Sequence, residues 1–125
     1  MRLGLAERII LLGVVTADEL VSLYTCSDLF VLASRFEGYG MALAEAIAHG
    51  MPVVGTKVGA IEQTVPANAG VLVPADDADG LANALQRLIE RSEERERFAA
   101  GARAAVFPSW REQGARFAHV LERLA

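Results

Sequence analysis

Ser34-Arg35-Phe36-Glu37-Gly38-Tyr39-Gly40-Met41-Ala42-Leu43-Ala44-Glu45 is the stretch on which the fold of this chain turns. The apolar run Leu29-Phe30-Val31-Leu32 ends just before it, and a helical pattern continues from Gly40 to His49. A buried strand, a glycine-bearing turn and a helix in that order belong to a βαβ unit, and ligands of such sheets bind at the carboxyl edge where this turn lies. Gly38 and Gly40 let the backbone approach a ligand closely, and the free amides of the helix's first turn favour an anion. That seat needs no basic side chain.

Two carboxylates bracket the turn: Glu37 stands just before the glycines, and Glu45 follows on the helix. Carboxylates accept paired hydrogen bonds from vicinal hydroxyls, so the pair suits a sugar on one side and a ribose on the other. Spacing alone also admits a plainer reading, with Glu37 as a helix-start acid and Glu45 as a surface residue.

The alternation extends in both directions. Ile9-Ile10-Leu11-Leu12 runs into Gly13, Val53-Val54 into Gly55 and Val71-Leu72-Val73 into Pro74. With the run at 29–32 these read as four buried strands, and helical signals over 17–26, 40–49 and 59–64 separate them. The expected fold is therefore α/β, a Rossmann-like parallel sheet of right-handed βαβ units over residues 1–75. Residues 76–125 are expected to be helical throughout after Ala78. Gly50 suits the left-handed residue behind a helix ending at His49, and Pro52 blocks its continuation. Asp76, Asp77 and Asp79 favour the start of a helix whose Leu81, Leu85, Leu88 and Ile89 form one face for the sheet. The alternating charges of residues 90–97 read as a solvated face. Ser109 and Glu112 match a capping box, opening a last helix over about 110–124 with Phe117, Val120, Leu121 and Leu124 as its stripe.

Composition narrows the partners. The 125 residues are 53% hydrophobic and 22% charged, those of one globular domain. Residues 1–90 hold 5 Lys/Arg against 11 Asp/Glu and residues 91–125 hold 7 against 5, so nucleic acid is not expected. The one cysteine, Cys26, excludes an intramolecular disulfide and paired-cysteine zinc sites. No apolar run reaches the ~18 residues of a membrane span and the start does not read as a signal peptide, so a cytoplasmic chain is expected.

The motif series resembles the retaining glycosyltransferases of family 4. Glu37 and Glu45 match the E-x7-E motif, followed by Ala46-Ile47-Ala48-His49-Gly50-Met51-Pro52-Val53-Val54. Leu23-Tyr24-Thr25-Cys26-Ser27-Asp28 stands before it, and Gly59-Ala60-Ile61, Gly70-Val71-Leu72-Val73-Pro74 and Phe107-Pro108-Ser109-Trp110 come after in the family's order. The resemblance implies the latter part of the C-terminal, nucleotide-sugar-binding domain of a two-Rossmann-domain (GT-B) enzyme. It implies that Glu37 is the catalytic residue, as a positioner that holds hydroxyls of the donor sugar and stabilises oxocarbenium charge, and that Glu45 holds the ribose. Backbone amides of Gly38, Tyr39, Gly40 and Met41 would face the sugar and diphosphate. The family's chemistry is metal-independent and retains configuration, and the nucleotide sugar is substrate, so no cofactor is expected. Uridine or guanosine diphosphate sugars are the usual donors, and no residue here chooses between them.

The sequence departs from the family where Glu62-Gln63 follows Gly59-Ala60-Ile61, a position often occupied by Pro-Glu, and no ligand role is expected there. Lone His49 and His119 read as a helix-end and a surface residue. The N-terminal acceptor domain and two earlier βα units, which carry the family's diphosphate-binding Arg and Lys, are not in this sequence, leaving Arg35 and Lys57 as the nearby cations. The isolated chain is accordingly expected to be inactive. Its missing surfaces would be covered by the absent domain, a partner chain, or a second copy through an edge strand or the C-terminal helices. The competing reading is a non-catalytic interaction module derived from such a domain.

Overall fold

The structure is a computed structural model that describes residues 4–124. Its centre is a parallel three-stranded sheet of order β1-β2-β3, formed by β1 (Phe30–Leu32), β2 (Val53–Thr56) and β3 (Gly70–Val73). Phe30 stands opposite Val53, and Val53 opposite Gly70. Successive residues of a strand face opposite sides, so β2 serves both halves of the core. Val53 joins the buried cluster of Tyr24, Leu43, Ala46, Ile47, Ile61 and Ala102, while Val54 joins Val73, Ala84 and Leu88.

Helices cover both faces, as a parallel sheet requires. α1 (Ala17–Cys26), α2 (Met41–Ala48) and α3 (Ile61–Thr64) lie near the first cluster, and α4 (Ala78–Glu90) closes the second. α5 (Ser92–Ala104) turns back from α4 and sends Ala102 into the first cluster. The expected boundaries of α1, α2 and α3 are observed within a residue or two. Gly50 is left-handed at φ 76°, and Asp77 caps α4 by accepting from the Gly80 amide at 2.8 Å.

Three expectations are corrected and a fourth is qualified. Residues 9–12 form no strand, and Leu11 is 92% exposed. A strand exists only through a ladder with a neighbour. Among the described residues β1 pairs with β2 alone, and no strand pairs with residues 9–12. Second, the chain after Ala78 is not helical throughout, because residues 105–109 are non-helical and separate α5 from α6 (Trp110–Leu124). Pro108 has no amide to continue a helix. Third, Ile89 turns away from the sheet and is 66% exposed, since Leu81, Ala84, Leu85 and Leu88 already fill the strip of α4 that the sheet can cover. Fourth, the solvated face of residues 90–97 holds at six of the eight residues and is interrupted at Glu94 and Arg95. The Glu94 side chain is only 16% exposed and lies 3.3 Å from Arg87, while Arg95 donates to the Leu88 and Ile89 carbonyls at the end of α4. These contacts satisfy carbonyls that a helix end leaves open.

The capping box of α6 is present: the Ser109 amide donates to Glu112 at 2.6 Å, and the Glu112 amide to the Ser109 hydroxyl at 3.2 Å. α1 opens on an equivalent box between Thr16 and Glu19. The hydrogen bonds from the backbone, and then from the hydroxyl, hold both carboxyls below the usual range. A depressed carboxyl contributes above its unfolded value and loses that contribution as pH falls through the folded one, so both caps weaken in acid. α6 buries no residue, and Leu124 is 79% exposed. Ser109→Ala is therefore expected to reduce helix content by circular dichroism without lowering the melting temperature of the sheet. A lowered melting temperature would show that α6 supports the core.

Candidate functional site

The loop that follows β1 rises from the carboxyl edge of the sheet and ends at Gly40, the N-cap of α2. Gly40 is left-handed at φ 80°, and a Cβ there would stand 3.2 Å from Ile61, so glycine is suited to the turn on both counts. α2 begins with neither a side-chain cap nor an acid in its first turn. Among the described residues, the amides of Gly38, Tyr39, Gly40 and Met41 donate to no protein acceptor. Such a row of free donors at a helix start is electropositive and favours an anion, with Gly38, Tyr39 and Met41 exposed and Gly40 buried.

The two carboxylates stand apart. Glu37 is half-buried in the loop, with its carboxylate 3.5 Å from the Ser34 hydroxyl. Glu45 is exposed on α2, four residues beyond Met41 and so on the same helix face. Glu45, Met41 and Tyr39 line one cleft of about 610 Å3 together with Phe107, Pro108 and Trp110. Glu37, Gly38 and Gly40 do not line it.

Behind Glu45 lies Tyr24, a buried residue of α1 that the sequence did not single out. Burial pushes its phenol above the usual range, helped by the nearby negative charge of Glu45. His49 stacks on the Tyr24 ring at 4.7 Å, with Nδ1 2.9 Å from the Glu45 carbonyl oxygen. His49 thus completes the end of α2. A tyrosine within an otherwise apolar helical stripe reads as core, which is why its polar end was not legible.

The nearby cations are both engaged. Arg35 Nε lies 2.6 Å from Asp76, and Lys57 Nζ 3.4 Å from Glu62. Exposed pairs of this kind are worth about 0–1 kcal/mol, so an incoming anion could compete for either cation. Thr56, buried at the end of β2, donates to the Ser34 carbonyl at 2.6 Å and fixes the start of the loop to the sheet. Among the described residues no helix is long and apolar enough to cross a membrane.

Residues 2–105 match the model of the family described as glycosyl transferases group 1. The chain is 31% identical over 112 residues to N-acetyl-alpha-D-glucosaminyl L-malate synthase of Bacillus anthracis, covering 89% of this chain and 29% of that protein. It is 39% identical over 84 residues to a lipopolysaccharide core biosynthesis mannosyltransferase of Rhizobium meliloti, covering 65% and 23%. Among solved structures, sucrose-phosphate synthase of Thermosynechococcus elongatus superposes with a TM-score of 0.81 at 29% identity, over 97% of this chain and 31% of that one. The C-terminal domain of a glycosyl transferase group 1 family protein from Francisella tularensis superposes at 0.72 with 34% identity, over 81% and 53%. The chain thus spans under a third of the length of these two curated relatives, and its α/β fold matches the C-terminal part of a GT-B glycosyltransferase. On the family match, which covers most of its length, this chain belongs to the glycosyl transferases group 1 family.

Proposed function

We propose that the chain forms one wall of the donor site of a retaining glycosyltransferase that uses a nucleotide-diphosphate sugar. The observation that carries the reading is the row of unpartnered amides at residues 38–41 between two carboxylates eight positions apart. In this reading the amides take the diphosphate, Glu37 faces the sugar and Glu45 grips the ribose. The chain alone transfers no sugar, because the acceptor side and the remaining diphosphate ligands belong to other parts of the enzyme.

Glu45 would hold a group remote from the reacting bond, so it contributes equally in ground and transition states. Loss of such uniform binding raises KM with little change in kcat. Glu45→Gln in the intact enzyme is therefore expected to raise the donor KM about threefold to tenfold, the worth of a weakened hydrogen-bonded contact. An unchanged KM with a reduced kcat would count against the ribose role.

A second reading is an interaction module. The edge of β1, unpaired among the described residues, and the exposed stripe of Phe117, Val120, Leu121 and Leu124 favour it, because both are surfaces that another chain, or a second copy, could cover. It differs from the first reading in requiring no nucleotide.

A further inference from the structure

The donor loop is tied to α3 by contacts that the expected site residues do not explain. The Ala60 amide donates to the Gly38 carbonyl at 2.9 Å. The hydroxyl of Thr64, a buried residue 25 positions away, donates to the Tyr39 carbonyl and lies 3.1 Å from the Ala60 carbonyl. Between these contacts Gly59, left-handed at φ 54°, passes so close to the loop that a Cβ would stand 1.8 Å from the Glu37 carbonyl oxygen.

We propose that residues 59–64 are a positioning clamp for the donor loop, with the Thr64 hydroxyl as its side-chain member and the Gly59 backbone as its bearing surface. The geometry follows from the peptide unit. In a planar trans peptide the carbonyl and the following amide point in opposite directions. Drawing the Gly38 and Tyr39 carbonyls onto α3 therefore turns the Tyr39 and Gly40 amides away from it, and neither amide has a protein acceptor among the described residues. α3 thus sets the direction of two of the four donors offered to the anion. Thr64 touches no ligand in this scheme and acts only through the loop. The inference rests on the donor-site reading for its function, but the orientation of the loop can be measured without any ligand.

The test compares Thr64→Val, which keeps the shape but removes the hydroxyl, with Thr64→Ser, which keeps the hydroxyl. Both are made in the 125-residue chain, isotope-labelled for NMR, with Gly59→Ala as a third variant. Without ligand, Thr64→Val is expected to move the Tyr39 carbonyl and Gly40 amide resonances while those of β2 and β3 stay in place, and Thr64→Ser is expected to restore them. On titration with uridine diphosphate, Thr64→Val is expected to weaken binding about threefold to tenfold, the usual worth of one hydrogen bond, with Ser close to the original. Gly59→Ala should displace the Glu37 and Gly38 resonances. If Thr64→Val leaves the loop resonances unmoved, or if Ser and Val weaken binding alike, the clamp is overturned. If the loop moves as expected but the unaltered chain takes no uridine diphosphate, the clamp stands as a loop-positioning device and the donor-site reading fails.

Discussion

Glu37→Gln in the intact enzyme is expected to lower kcat by about 10²- to 10³-fold, the usual effect of removing one preorganised electrostatic group, while donor binding changes little. Under the proposed function Glu37 faces the sugar at the bond being broken. Positive charge develops there only as the transition state is approached, and a carboxylate stabilises it far better than a neutral amide of the same shape. The loop supports such a role because it is fixed before any ligand arrives. Its carbonyls at Ser34, Gly38 and Tyr39 are all held, and the Glu37 backbone abuts Gly59. Steady-state kinetics with donor varied at saturating acceptor separate the two constants. A variant that loses donor affinity and keeps its turnover would assign Glu37 to simple binding.

Leu43→Ala is expected to cost about 2 to 5 kcal/mol of folding stability, the range for truncating a fully buried leucine. Leu43 lies in the first turn of α2 and is wholly buried, and its Cδ1 lies where Cβ atoms added at Gly40 or Gly55 would be 3.5 Å away. It therefore fills the space beneath the donor turn and against β2. Neighbouring backbone limits collapse into the space left behind, which places the cost toward the upper end of the range. Urea denaturation of the 125-residue chain measures it. The control is Leu124→Ala on the exposed stripe of α6, expected to change stability by no more than about 0.5 kcal/mol. Equal losses at the two positions would mean that α6 is packed in solution and that the core is not where the structure puts it.

Features specified within a few residues were legible in the sequence. Gly50 and Pro52 mark the end of α2, and Ser109 with Glu112 marks the start of α6, because caps and turns are set by local backbone demands. The three strands that pair were also legible, each as an apolar run between turn residues. Residues 9–12 have the same apolar pattern and form no strand, since pairing depends on what stands beside them and not on the run itself. Ile89 fits the period of α4, but period alone does not set how wide a strip the sheet covers. The glycine turn and its two acids were visible as a candidate site. The contacts that hold them were not: Thr56 and Thr64 act on partners 22 and 25 residues away through single hydroxyls, and neither hydrophobic period nor composition encodes such contacts. The break at residues 105–109 was signalled by Pro108 and by the capping box itself, two local marks that the expectation of continuous helix overrode.

The donor-site claim is tested most directly by titrating uridine diphosphate into the isotope-labelled chain and following its backbone amides by NMR. The proposed function predicts weak binding in the millimolar range, because only one wall of the site is present, with the largest shifts at Gly38, Tyr39, Gly40 and Met41 and a smaller response at Glu45. The same titration with Glu45→Gln should keep the pattern and weaken the affinity. Shifts absent from residues 37–45 at saturating nucleotide, or concentrated instead on the charged corner between α4 and α5, would contradict the account and favour the interaction module.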